Sequence, residues 1–136
     1  MDEVRDWREA GLDTIVSLLE RHEVVDLDLE EEGAICAAHG IEFISYPIED
    51  RGVPASIPHT IQLVDSLVER LANGRGVGVH CRVGIGRSGL ISGCVLVRLG
   101  VPYKKVFPAL TLARGTDVPD TVEQEHWVRL FSESGS

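Results

Sequence analysis

Three cysteines in a chain of 136 residues are too few for a disulfide framework. No two cysteines or histidines stand at metal-ligand spacing, since His22, His39, His59 and His126 are scattered, so neither a metal nor any other cofactor is expected. Basic residues are also scarce. Thirteen lysines and arginines face 22 aspartates and glutamates, and a net charge of −9 makes nucleic acid or an anionic membrane surface an awkward partner. Apolar runs fall well short of the ~20 residues that cross a bilayer, and the acidic N-terminus does not resemble a signal peptide. Aromatics make up only 5%, and Trp7 and Trp127 read as packing residues rather than ligand platforms.

What the chain does have is 43% hydrophobic residues and no linker, repeat or low-complexity tract, which reads as one cytoplasmic, monomeric domain over 1–136, frayed only at 132–136. The pattern predicts helices over 2–10, 30–39, 57–72, 88–99, 103–113 and 121–131, and strands over 14–18, 41–46 and 76–80. Alternation of the two predicts an α/β fold: a central, mostly parallel sheet with helices on both faces. In 57–72, Ile61, Val64, Leu67, Val68 and Leu71 recur at three- and four-residue steps as a core-facing stripe, ended by Asn73-Gly74. The acidic run from Glu20 to Glu32 reads most simply as a solvated face.

Chemistry concentrates in His80-Cys81-Arg82-Val83-Gly84-Ile85-Gly86-Arg87-Ser88, between the apolar strand 76–79 and an apolar helix. A helix N-terminus offers unpaired N–H groups and the positive end of the dipole, so a loop entering it is a cradle for an anion. Gly84 and Gly86 let the backbone from Arg82 to Arg87 curl so that its N–H groups converge on phosphate oxygens. Cys81 lies at the base of that curl, where the same donors favour thiolate. A cysteine pKa of about 8.5 drops to roughly 3.5–7.5 in such surroundings, so Cys81 is expected to be a nucleophile. Arg87 can hold two phosphate oxygens with its planar fork. Ser88 can donate to the Cys81 sulfur as it departs, and His80 reads as a buried hydrogen-bonding anchor rather than a proton shuttle. Cys36 and Cys94 read as core residues, with a disulfide to Cys81 as the alternative that a low-pKa thiol leaves open.

Cleavage of a phosphate ester by a thiolate needs an acid for the leaving oxygen. Tyr46-Pro47-Ile48-Glu49-Asp50-Arg51-Gly52-Val53-Pro54 follows a strand and is broken by prolines and glycine, which places it at the carboxyl edge of the sheet where ligands bind. Asp50 is the candidate acid and Glu49 the reserve. Arg51 either guides anionic substrates or flanks the turn.

His80-Cys81-x5-Arg87-Ser88 resembles the signature loop of the protein tyrosine phosphatase superfamily, and the rest of the chain resembles its small dual-specificity branch. The resemblance implies a cysteine phosphatase-like fold and makes 47–54 similar to that branch's general-acid loop, favouring Asp50. It also implies that 114–125 precedes the last helix, with Gln124 where some relatives carry a glutamine near the attacking water, and Arg114 tying the loop to the helices. Relatives begin with a further strand or two, whereas 2–10 here reads as helix, so a truncated or thinner sheet edge is expected. The implied activity is hydrolysis of phosphotyrosine, with phosphoserine and phosphothreonine, through a cysteinyl-phosphate. Alternatives are a phosphatase of inositol phosphates or other small phosphorylated molecules, disfavoured by the apolar Val83 and Ile85, a phosphate-binding module without catalysis, and rhodanese-like sulfur transfer.

Overall fold

The computed structural model describes residues 2–81, 86–115, 118 and 121–134, with the side chains of 2, 3 and 114 left aside. Its elements run α1 (Asp2–Glu9), β1 (Leu12–Ser17), α2 (Arg21–Asp26), α3 (Glu32–Ala38), β2 (Glu42–Ser45), α4 (Ile57–Ala72), β3 (Gly76–His80), α5 (Gly86–Arg98), α6 (Tyr103–Arg114) and α7 (Val122–Ser134). The three strands form one parallel sheet in the order β2-β1-β3.

Central strand β1 divides the core, because alternate side chains of a strand leave opposite faces. Ile15 packs with Val4, Cys36 and Ile41 under α1 and α3, with Trp7 and Phe43 beside them. Val16 faces the larger cluster, built from α4, α5, α6 and α7 around Val64, Leu67, Leu90, Ile91, Val106, Val128 and Phe131. Helices therefore cover both faces, as the helix–strand alternation predicts. Cys36 and Cys94 are both buried in these clusters, and burial pushes both thiols up from the ordinary range, with Glu32 adding to the effect at Cys36.

In α4, Val64 and Leu67 are buried while Ile61 and Val68 pack partly against the core. Leu71, the last member of the expected stripe, is instead exposed at the helix end. Ser56 caps this helix by accepting from the backbone N–H of His59, and a proline sits in its first turn, where no N–H partner is lost.

The acidic run departs from the expected solvated face. Residues 21–26 form the short helix α2, and two of the run's carboxylates, Glu23 and Glu32, are buried with partners far away in sequence. The remaining boundary differences are of one or two residues at element ends, the range over which such ends fray, except that α7 runs to Ser134, three residues past its expected end and into the tail expected to fray.

Candidate active site

Strand β3 ends at His80, and half-buried Cys81 follows it at the carboxyl edge of the sheet. The expected phosphate-binding residues Arg82, Val83, Gly84 and Ile85 lie outside the described residues. On the far side of that segment Gly86, Arg87 and Ser88 form the first turn of α5, all three buried. Packing fixes the approach of this turn: a side chain on Gly89 would run into the Val118 side chain.

Arg87 is 3% exposed, and its bonds determine its orientation. Nη1 donates to Glu23 Oε1 at 2.6 Å, to the Ile48 carbonyl at 3.0 Å and to the Leu18 carbonyl at 3.4 Å, while Nη2 donates to Glu23 Oε2 at 2.9 Å. One edge of the fork is thus occupied by a bidentate carboxylate. Nε bonds to none of the described residues. Burial opposes the charge, but the Glu23 hydrogen bonds and the nearby negative groups, Glu23, Cys81 and Asp50, hold the guanidinium above its ordinary value. For Glu23 the Arg87 hydrogen bond is the largest influence and keeps the carboxyl below the usual range, against its burial.

Glu23 also accepts from the Glu20 backbone N–H at 3.0 Å, so the carboxylate that holds Arg87 also closes the first turn of α2. Sequence reasoning missed it. The available signal was the spacing of Glu20 and Glu23, a capping pair three residues apart, together with the need of a buried arginine for a buried anion. Glu20, His22 and Glu23 also form the one group among the described residues close enough to share a cation, their ligand atoms lying within 4.8 Å. Arg87 and the Glu20 N–H already occupy the Glu23 oxygens.

Main-chain bonds bring the acid segment to the same place. Leu18, one residue past β1, donates to the His80 carbonyl at 2.9 Å and accepts from Ile48 N at 3.1 Å, while Tyr46 N donates to the Ser17 carbonyl at 2.8 Å. Tyr46 is held further by its hydroxyl, 2.7 Å from Thr60 Oγ1 on α4. Asp50 consequently lies with Oδ1 3.5 Å from Arg87 Nη2, its side chain 66% exposed. Glu49 is exposed and forms no ion pair among the described residues, which separates the two candidate acids. Arg51 is exposed as well and adopts a positive φ of 60°.

His80 makes a hydrogen bond, Nε2 to Glu32 Oε1 at 2.9 Å, and its ring lies 5.7 Å from that of Trp7. Its side chain is 23% exposed, not buried as expected of an anchor, while its partner Glu32 is buried at the start of α3. Trp127 is buried and stacks on Phe131. Gln124 is fully buried on α7; its Nε2 donates to the Gly52 carbonyl at 3.0 Å. The tail ahead of it, including Thr116, Asp117, Pro119 and Asp120, lies outside the described residues.

In sequence and in fold the chain is similar to known proteins. The chain is 29% identical over 107 residues to cyclin-dependent kinase inhibitor 3 of Homo sapiens, covering 77% of this chain and 47% of that protein. It is 37% identical over 87 residues to the putative tyrosine phosphatase 067L of Invertebrate iridescent virus 3, covering 60% and 36%. It therefore spans about half the length, or less, of the curated relatives it matches. The fold superposes on kinase associated phosphatase bearing a serine for its catalytic cysteine, with TM-score 0.89 and 23% identity over 98% of this chain and 75% of that one. Among the described residues no helix is long and apolar enough to cross a membrane. A family model described as "Polymorphic toxin system, DSP-PTPase phosphatase" matches residues 1–101, and the chain belongs to that family.

Proposed function

We propose that this domain is a metal-independent phosphomonoesterase that uses Cys81 as nucleophile and Asp50 as general acid, acting on phosphotyrosine and on phosphoserine or phosphothreonine in proteins. The observation that carries the reading is Arg87: it is buried in the first turn of α5, held on one edge by Glu23 and facing Asp50 at 3.5 Å. An arginine so fixed loses little freedom when it takes up phosphate oxygens, and its charge counts most when the phosphorus becomes five-coordinate.

In the first step the Cys81 sulfur forms a bond to phosphorus as the ester oxygen leaves, taking the proton of the Asp50 carboxyl. In the second, the Asp50 carboxylate removes a proton from water, the water oxygen bonds to phosphorus, and the sulfur departs as thiolate, with the Ser88 hydroxyl as its donor. Backbone N–H groups of Arg82, Val83, Gly84, Ile85, Gly86 and Arg87 receive the phosphate oxygens, and His80 supports the loop from the strand side. A thiolate nucleophile suits a reducing, cytoplasmic setting. The name of the viral relative, a putative tyrosine phosphatase, supports a protein substrate over inositol phosphates.

The test is Cys81→Ser in the full chain. The variant is expected to bind phosphate and lose turnover of phosphotyrosine peptide, phosphoserine peptide and inositol phosphates alike. Turnover near the wild-type rate would remove Cys81 from the chemistry, and a wild-type rate highest on inositol phosphates would replace the protein substrate.

A further inference from the structure

We propose that Gln124 is a positioning residue for the general acid, tethering the Asp50 turn through the Gly52 carbonyl; the inference rests on the phosphatase reading above. Asp50 sits in a tight turn from Glu49 to Gly52, closed by Gly52 N donating to the Glu49 carbonyl at 2.7 Å. Arg51 occupies that turn at φ 60°, a left-handed conformation that costs a non-glycine residue about 1 kcal/mol or more and persists only when its surroundings hold it. Gly52 has no latitude either, since a side chain there would come within 2.9 Å of the Glu49 carbonyl.

Two fastenings hold the turn. On the N-terminal side Ile48 is bonded through its N–H to Leu18 and through its carbonyl to Arg87. On the C-terminal side the Gly52 carbonyl accepts from Gln124 Nε2 at 3.0 Å, across 72 residues of chain. Chemistry fixes the amide's orientation, because a carbonyl can only accept and the N–H of Thr121 can only donate. Gln124 Oε1 accepts from Thr121 N at 3.3 Å, and Thr121 Oγ1 accepts from Gln124 N at 3.1 Å, a reciprocal cap at the start of α7. Both ends of a fully buried amide are therefore engaged, one with the last helix and one with the acid turn. The geometry makes α7 a fixed post from which the carboxyl of Asp50 is aimed.

Gln124→Glu separates the two engagements. A glutamate still accepts from Thr121 N and, where ionised, has no proton for the Gly52 carbonyl; full burial favours its protonated form, so Gln124→Met, which cannot donate at any pH, decides. Steady-state kinetics of the full chain are compared on 4-nitrophenyl phosphate, whose leaving group needs little protonation, and on phenyl phosphate, which depends on the acid. A positioned acid contributes roughly 10²–10⁴-fold, so a misaimed one is expected to lower kcat on phenyl phosphate about tenfold more than on 4-nitrophenyl phosphate. Equal losses on both substrates, or a burst of nitrophenol showing accumulated cysteinyl-phosphate, would place Gln124 at the water step and overturn the proposal. Gln124→Met, which keeps the shape and removes the polar group, is put through the same comparison. Hydrogen exchange of residues 47–53 in the Cys81→Ser protein needs no turnover. Faster exchange in the Gln124 variants supports the tether, and unchanged exchange refutes it. A wild-type protein inactive on both esters would sink the phosphatase reading, while the exchange result would still decide the tether.

Discussion

Replacing Glu23 with glutamine perturbs the buried pair on which the site is built, and its cost follows from the bonds. The wild-type carboxylate makes two charge-assisted bonds to Arg87, of 2.6 and 2.9 Å, and one to the Glu20 N–H. Glutamine keeps a single acceptor oxygen, turns an amino group toward the guanidinium and removes the countercharge of a cation that is 3% exposed. Breaking a buried ion pair by removing one partner costs about 3–5 kcal/mol. The carbonyls of Leu18 and Ile48 and the Asp50 carboxylate remain as acceptors, which puts this case near the lower end. For a chain of this size about 3 kcal/mol lowers the midpoint of thermal unfolding by roughly 10 °C. The deficit also has a pH signature. Because the folded-state carboxyl is held below its ordinary value, its contribution is complete above about pH 4.3 and is lost as pH falls through the lower folded value, so the midpoints of the two proteins converge in acid. Turnover of 4-nitrophenyl phosphate is expected to drop about 10- to 100-fold, less than outright loss of a transition-state donor, which costs roughly 10²–10³. Circular dichroism melts from neutral to acid pH, with kcat measured on the same samples, check all three. Equal midpoints at neutral pH would show that the pair does not hold the arginine, and a deficit that stays constant into acid would refute the charge-based account.

Asp50→Ala should lower kcat far more on phenyl phosphate than on 4-nitrophenyl phosphate while Glu49→Gln leaves both nearly unchanged; the reverse order would transfer the acid role to Glu49. Gly89→Ala should gain up to about 1 kcal/mol of helix propensity yet lose more to its clash with Val118, for a net destabilisation of about 1–2 kcal/mol in urea titration. Tyr46→Phe breaks the bond to buried Thr60 and should cost about 1 kcal/mol by the same titration, with the slope of unfolding unchanged.

Strand β3, helices α4 and α5 and the placing of Cys81, Asp50 and Arg87 at one edge of the sheet are legible in the sequence because each rests on local information: alternation, a helical stripe, glycines in a loop, prolines beside an acid. Helix α2 escapes because six residues, mostly polar, show no apolar period, and its start depends on a capping pair made by glutamates. The burial of Glu23 and Glu32 is illegible for a different reason. A carboxylate's solvation depends on what lies opposite, and here the partners are Arg87 and His80, 64 and 48 residues away. In a run as acidic as 20–32, sparing two members from solvent leaves no compositional trace. Gln124 stands between these cases. Thr121-x-x-Gln124 reads locally as a cap, but the Gly52 carbonyl on its other side is knowable only from the fold.

The main-chain N–H and carbonyl of Leu18 join strand β3, the segment 46–54 and the Arg87 side chain. A scan that exchanges side chains one by one would register its place in the interior and nothing of this junction, since any replacement but proline supplies the same amide and carbonyl. Descendants of this chain can therefore vary residue 18 freely within what the interior accommodates and still inherit the alignment of all three working parts.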